Sequence, residues 1–327
     1  MLAAVVTAVV VALLARQNSE LADLLGAVPA QVRAIPPWTV PLAGALKLGE
    51  VALNALAWRT ALRAAAPTRP AEYGRVVAAL QTGSALTALV PPKFATVGLL
   101  AIYRAALPGI AISTLGATRV VQAAAPVVAG FLLFLALLVV DPAPRIAASQ
   151  AIGALANHAP LAIALLVAVV ALATLLARRM GDTLRDDLRI QLLAGGEIFR
   201  TPWRYAMLVA LPGLLGLACR WGVTATLLLA FAIPVDFRSL ALVNFSHGLA
   251  RGLQLTPGGL GTTQAFDLVA LQGIASAEKI VAYSLTQSAL LLAFNLLFGA
   301  VAALVLLGWT GARRLFHRPE IPSVPAD

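Results

Sequence analysis

Apolar runs of membrane-spanning length recur along the chain, separated by short polar stretches, with no longer segment of soluble character. A bilayer core of about 30 Å needs roughly 20 apolar helical residues. By that measure the pattern predicts spans at Leu2–Ala15, Trp38–Ala61, Val120–Val140, Leu161–Ala177, Tyr205–Ile233 and Ile280–Leu307. Two further apolar stretches are interrupted. Val76–Val90 and Phe94–Leu107 flank Pro91-Pro92-Lys93, and Leu240–Leu255 and Thr262–Ile274 flank Thr256-Pro257-Gly258-Gly259-Leu260-Gly261. Proline ends the helical ladder and constrains the residue before it, so each stretch is expected to be a helical hairpin broken at its tip. Non-helical backbone is tolerated at membrane depth only where protein or a water-lined cavity satisfies it, which makes both breaks candidate site elements.

Within Trp38–Ala61, Lys47, Glu50 and Asn54 recur at spacings of three and four and share one helix face. Lys47 and Glu50 are expected to form an ion pair that neutralises itself inside the bilayer. Arg220 and Trp221 lie in the middle of Tyr205–Ile233, and Pro212-Gly213 offers that span a place to bend. Arg178–Arg204 is the one substantial polar segment and reads as an interfacial connector. His247 and Asp267 on the second hairpin, and Tyr283, Gln287 and Asn295 on the last span, are expected to serve hydrogen bonding and interhelical packing.

The two halves follow one plan: a span, a connector, a span carrying embedded cations, a hairpin broken at proline, and a span. Setting Pro91 on Pro257, an offset of 257 − 91 = 166, also pairs Leu89 with Leu255 and Thr96 with Thr262. Three full crossings per half leave the halves upside down relative to each other, the arrangement in which broken helices meet at a transporter site. The expected organisation is one membrane domain over 1–327, with repeats at 1–145 and 146–312 and a cytoplasmic tail at 313–327.

Composition agrees with a polytopic membrane protein: 60% of the 327 residues are hydrophobic and 12% charged. The net charge of +10 would point a soluble chain toward nucleic acid; here loop bias accounts for it, and no nucleic-acid partner is expected. With the connector and tail cytoplasmic, fifteen Lys and Arg fall inside and five outside, which the positive-inside rule favours. This reading places the protein in the cell membrane with both termini cytoplasmic. Lys47, Lys93, Arg220 and Arg251 remain within the membrane. One cysteine, Cys219, excludes a disulfide framework, and no zinc, phosphate-loop or nucleophile-elbow signature occurs. No enzymatic activity, metal or cofactor is expected.

At Pro257-Gly258-Gly259-Leu260-Gly261 followed by Gln264, and at Trp58-Arg59 and Arg220-Trp221, the chain resembles the transmembrane, flippase-like region of the lysylphosphatidylglycerol synthase superfamily. It departs from that pattern at Gln264 and Thr96, where the family has acids, and at Ala95, where it has glycine. The resemblance implies a lipid translocase, or a protein allied to lipid-linked head-group chemistry, without the aminoacyl-transferase domain that some members carry. The expected function is therefore movement of an anionic phospholipid or polyprenyl phosphate-linked lipid between leaflets. Lys93, Arg220 and Arg251 would hold the phosphate, with Pro257, Gly258, Gly259, Gly261 and Gln264 completing the head-group contacts. The alternative is a non-transporting accessory that presents lipid-linked substrate to a lipid-modifying enzyme.

Overall fold

The computed structural model describes residues 32–69, 71–90, 92–140, 196–252 and 261–316; they form helices, with no strand among them. The spans expected at Leu2–Ala15 and Leu161–Ala177, most of the connector, Pro91 and 253–260 lie outside the described residues. Eight helices follow in chain order: α1 Thr39–Ala65, α2 Tyr73–Leu89, α3 Pro92–Ala106, α4 Ile112–Val140, α5 Pro202–Ala230, α6 Phe237–Gly252, α7 Thr262–Ala270 and α8 Ala277–Phe316. Four of the described segments, Thr39–Ala65, Ile112–Leu137, Pro202–Ala230 and Ala277–Leu306, are long and apolar enough to cross a membrane. Their outward faces carry exposed aliphatic groups such as Val120 and Val305, each at 72% exposure, a surface that lipid would cover.

Proline sets several boundaries. Val90 is extended, with φ −120° and ψ 134°, as the residue before a proline is pushed to be, and α2 stops there. Pro92 and Pro202 open α3 and α5, where a missing N–H costs nothing. The bend expected at Pro212-Gly213 is preceded by a π-helical turn over Ala206–Ala210. Pro126 lies inside α4, and Gly213 of α5 makes room for it: a Cβ on that glycine would meet the proline Cγ at 3.0 Å.

Small residues bring α1 and α5 together. Gly222 lies beside Leu46, Gly49 beside Cys219, and Gly216 beside Asn54. The numbers fall along one helix as they rise along the other, so α1 and α5 run antiparallel. Close approach of this kind is how helices gain dispersion where no hydrophobic force separates them from lipid. The α2–α8 crossing is as tight, with Gly299 set against Ala85 and the Gln81 carbonyl.

Two buried clusters mark opposite ends of α1. At its C-terminal end, Trp58 and Leu62 pack with Ala71 and Val76 where α2 begins, Leu107 where α3 ends, and Leu115 where α4 begins. At its N-terminal end, Ala43 packs with Leu228 where α5 ends, Leu271 just past α7, and Ile280 where α8 begins. The α2–α3 pair thus begins and ends at one end of the bundle, and the α6–α7 pair belongs to the other. Cations follow the same division: Arg59, Arg63, Arg69, Arg75, Arg104, Arg200 and Arg204 sit toward the first end, Arg33, Arg238 and Lys279 toward the second.

Candidate functional site

Between these ends, near the middle of α1 and α5, lies a cavity of about 650 Å³ lined from α1, α2, α4, α5, α6, α7 and α8. That volume is within the range of small-ligand sites. Glu50 is among its lining residues and is 4% exposed. Lys47 Nζ donates to Glu50 Oε2 at 2.9 Å, while Arg220 donates to Oε1 through Nε at 2.8 Å and Nη2 at 2.6 Å. The Lys47–Glu50 pair therefore does not close on itself as the spacing suggested, because Arg220, 170 positions away, shares the carboxylate. Arg220 keeps 41% of its side chain open to the cavity, and its Nη1 has no partner among the described residues.

A second arm runs from the same helix. Asn54 Nδ2 donates to the Glu50 carbonyl at 2.9 Å, Gln122 Nε2 donates to Asn54 Oδ1 at 2.7 Å, and Arg119 donates to Gln122 Oε1. Arg119 also lies over the Trp58 ring, 5.2 Å from its centroid, and Trp58 is fixed in turn by its Nε1–H bond of 3.0 Å to Thr118. Lys47, Arg119 and Arg220 thus face one cavity with Glu50 as the counter-charge, leaving an excess of positive charge in a region where ions are expensive. Such a field suits an anion, and a guanidinium fork suits a phosphate or carboxylate in particular.

The lining from α2 and α8 carries no charge and is partly polar. Gln81 of α2 is 3% exposed and neither polar atom of its side chain has a partner; Gln287 Oε1 and Asn295 Oδ1 of α8 are also unpartnered, and all three residues line the cavity. A buried polar group left unsatisfied costs about 1–3 kcal/mol, so these atoms call for water or ligand. Gln287 and Asn295 therefore do more than pack helices together. Tyr283 does not line the cavity; it is core, set edge-on against Phe231.

Arg119 is the site residue that sequence reasoning missed. It reads as a loop cation before a span at Val120, but α4 begins at Ile112 and carries it two turns in. The signal was present in Thr118, Arg119 and Gln122, polar residues spaced to share one face. Gln264, expected near the ligand, is committed to structure: its Oε1 accepts the Gly261 N–H at 2.6 Å and its Nε2 donates to Ser288 Oγ at 3.1 Å. It thereby secures the start of α7, where Gly261 adopts φ +86°, a value glycine tolerates. Lys93 and Arg251 are placed by backbone alone, in the first turn of α3 and at the end of α6. Pro257, Gly258 and Gly259 lie outside the described residues. Among the described residues no three His, Cys, Asp or Glu side chains gather to ligate a metal ion. Comparison of the chain with protein-family models, curated proteins and solved structures found no match.

Proposed function

We propose that this protein is a flippase-like carrier that takes the anionic head group of a phospholipid or lipid-linked intermediate into the cavity and passes it between leaflets. The observation that carries the reading is the cationic cavity itself, bounded by Lys47, Arg119 and Arg220 and set midway along helices of spanning length. Arg220 Nη1 and the Arg119 guanidinium would meet the head group, and its tails would remain in the bilayer.

Packing supports an inverted repeat. Mapping α1 to α4 onto α5 to α8 carries the contact of α1 with α2 onto that of α5 with α6, α2 with α3 onto α6 with α7, and α2 with α8 onto α6 with α4. The axis relating the halves must map α1 onto α5, and these run antiparallel, which favours an axis in the membrane plane. On this reading α2–α3 and α6–α7 are re-entrant hairpins from opposite faces. The excess of arginine at the α2–α3 end makes that end cytoplasmic. Rocking of one repeat on the other would open the cavity to each leaflet in turn.

Native mass spectrometry of the purified protein tests the binding step. The wild type should retain an anionic lipid, and a protein carrying both Arg119→Met and Arg220→Met should lose it while remaining folded. Equal retention by both, or wild-type protein carrying only zwitterionic lipid, would overturn the assignment. Lipid retained by a wild type that does not move it would instead favour the presenting accessory.

A further inference from the structure

Beyond the Glu50 cluster, a second polar group borders the same cavity. Asp267 of α7 is fully buried, in a part of the bundle where an ionised carboxylate must be paired and hydrogen-bonded. Ser284 Oγ of α8 donates to its Oδ2 at 2.5 Å, and Ser246 Oγ of α6 donates to Oδ1 at 3.3 Å. His247 of α6 brings Nε2 to 2.8 Å from Oδ1. Of these residues His247 is the one that also lines the cavity, so it joins the buried carboxylate to the space in which the anion would sit.

We infer that His247 and Asp267 form a proton-binding site coupled to the anion site, taking up a proton from cavity water as an anion binds. The inference rests on the anion-binding reading above. Histidine is the side chain whose charge ordinarily changes between pH 5 and 8, and an imidazolium here has Asp267 as counter-ion. The groups that would resist the added charge line the same cavity: Arg220 from α5, Arg119 from α4 and Lys47 from α1, with Glu50 as the opposing carboxylate. Tyr283 of α8 is fully buried and, as a phenol, adds no charge. An anion entering the cavity offsets the three cations and so favours the imidazolium; by linkage, the proton favours the anion equally. The step moves one proton from water to the imidazole and changes no other bond. At the offset of 257 − 91 = 166 the first half has Gln81 in place of His247, so a single proton is coupled and not one per repeat.

The test is calorimetric titration of the full-length protein with dioctanoylphosphatidylglycerol, whose phosphodiester stays a monoanion, in buffers of differing ionisation enthalpy. For the wild type, Kd should weaken as pH rises, by up to about tenfold per pH unit, with net uptake approaching about one proton per anion. His247→Gln should bind with a Kd independent of pH and with no uptake. Asp267→Asn, which keeps the side chain's shape and one of its two serine-accepting oxygens, should reduce uptake in the same way. Proton uptake equal in wild type and both variants, or absent in a wild type that binds the anion, overturns the coupling and leaves anion binding standing. Absence of binding at every pH overturns the anion reading and the coupling with it.

Discussion

Replacing Glu50 by glutamine tests whether one carboxylate holds two embedded cations side by side. The substitution preserves shape and removes only charge. Three N–H donors converge on the carboxylate at 2.9, 2.8 and 2.6 Å, from Lys47 Nζ and from Arg220 Nε and Nη2. Stripping a buried pair of one partner costs about 3–5 kcal/mol, because the remaining charge is left uncompensated. Two features of this site move the value. The glutamine carbonyl can still accept from Arg220, whose side chain, 41% exposed, can rehydrate from the cavity. Its amide nitrogen then faces the Lys47 ammonium, donor against donor.

The expected net loss is about 2–4 kcal/mol, or roughly 4–8 °C in apparent Tm at ~2 °C per kcal/mol for a chain of this size. Thermal scans in detergent at a fixed rate, followed by tryptophan emission, measure it. Adding Lys47→Met to Glu50→Gln removes the opposed donors and should recover about half the loss. A Glu50→Gln protein as stable as the wild type, or a double variant less stable than the single, would refute the shared-carboxylate account.

Gly299→Val should destabilise by about 1–3 kcal/mol, since a Cβ there runs into Ala85 and the Gln81 carbonyl; Gly248→Ala, where a Cβ meets nothing within 4 Å, should be neutral or slightly stabilising. Equal Tm values for the two would count against the α2–α8 crossing. With Cys219→Ser as background, cysteines placed at Thr68 and at Gln272, both exposed, should react with an impermeant maleimide from opposite sides of the membrane, Thr68→Cys from the cytoplasm. Labelling of both from one side would remove the inverted arrangement.

Apolar runs of spanning length and the punctuation of proline carried the helical plan: α1, α4, α5 and α8 follow the long runs, and α2 ends where Pro91 requires. Partnership across the fold was not legible. Periodicity puts Lys47, Glu50 and Asn54 on one face, but nothing local says that Glu50 will meet Arg220, 170 positions later. Arg119 was misread for an energetic reason. An embedded arginine costs about 2.5–3.5 kcal/mol on insertion scales, so it looks like the edge of a span until Trp58 and Gln122 are seen to compensate it. Gln264 erred the other way. The broken motif drew attention to it as a ligand contact, while the fold spends both ends of its amide on Gly261 and Ser288. The uncharged lining went unnoticed because a glutamine in an apolar helix, such as Gln81, gives no sign in sequence of whether it has a partner.

The most direct test of the carrier is lipid movement in unilamellar proteoliposomes containing a fluorescent nitrobenzoxadiazole-labelled anionic phospholipid, with dithionite added outside. The account predicts quenching that passes the outer-leaflet plateau toward completion in vesicles holding the wild type, and a plateau at about half, as in protein-free vesicles, for Arg119→Met combined with Arg220→Met. Wild-type vesicles that stop at the protein-free plateau, or a double variant that quenches as fully as the wild type, would contradict it.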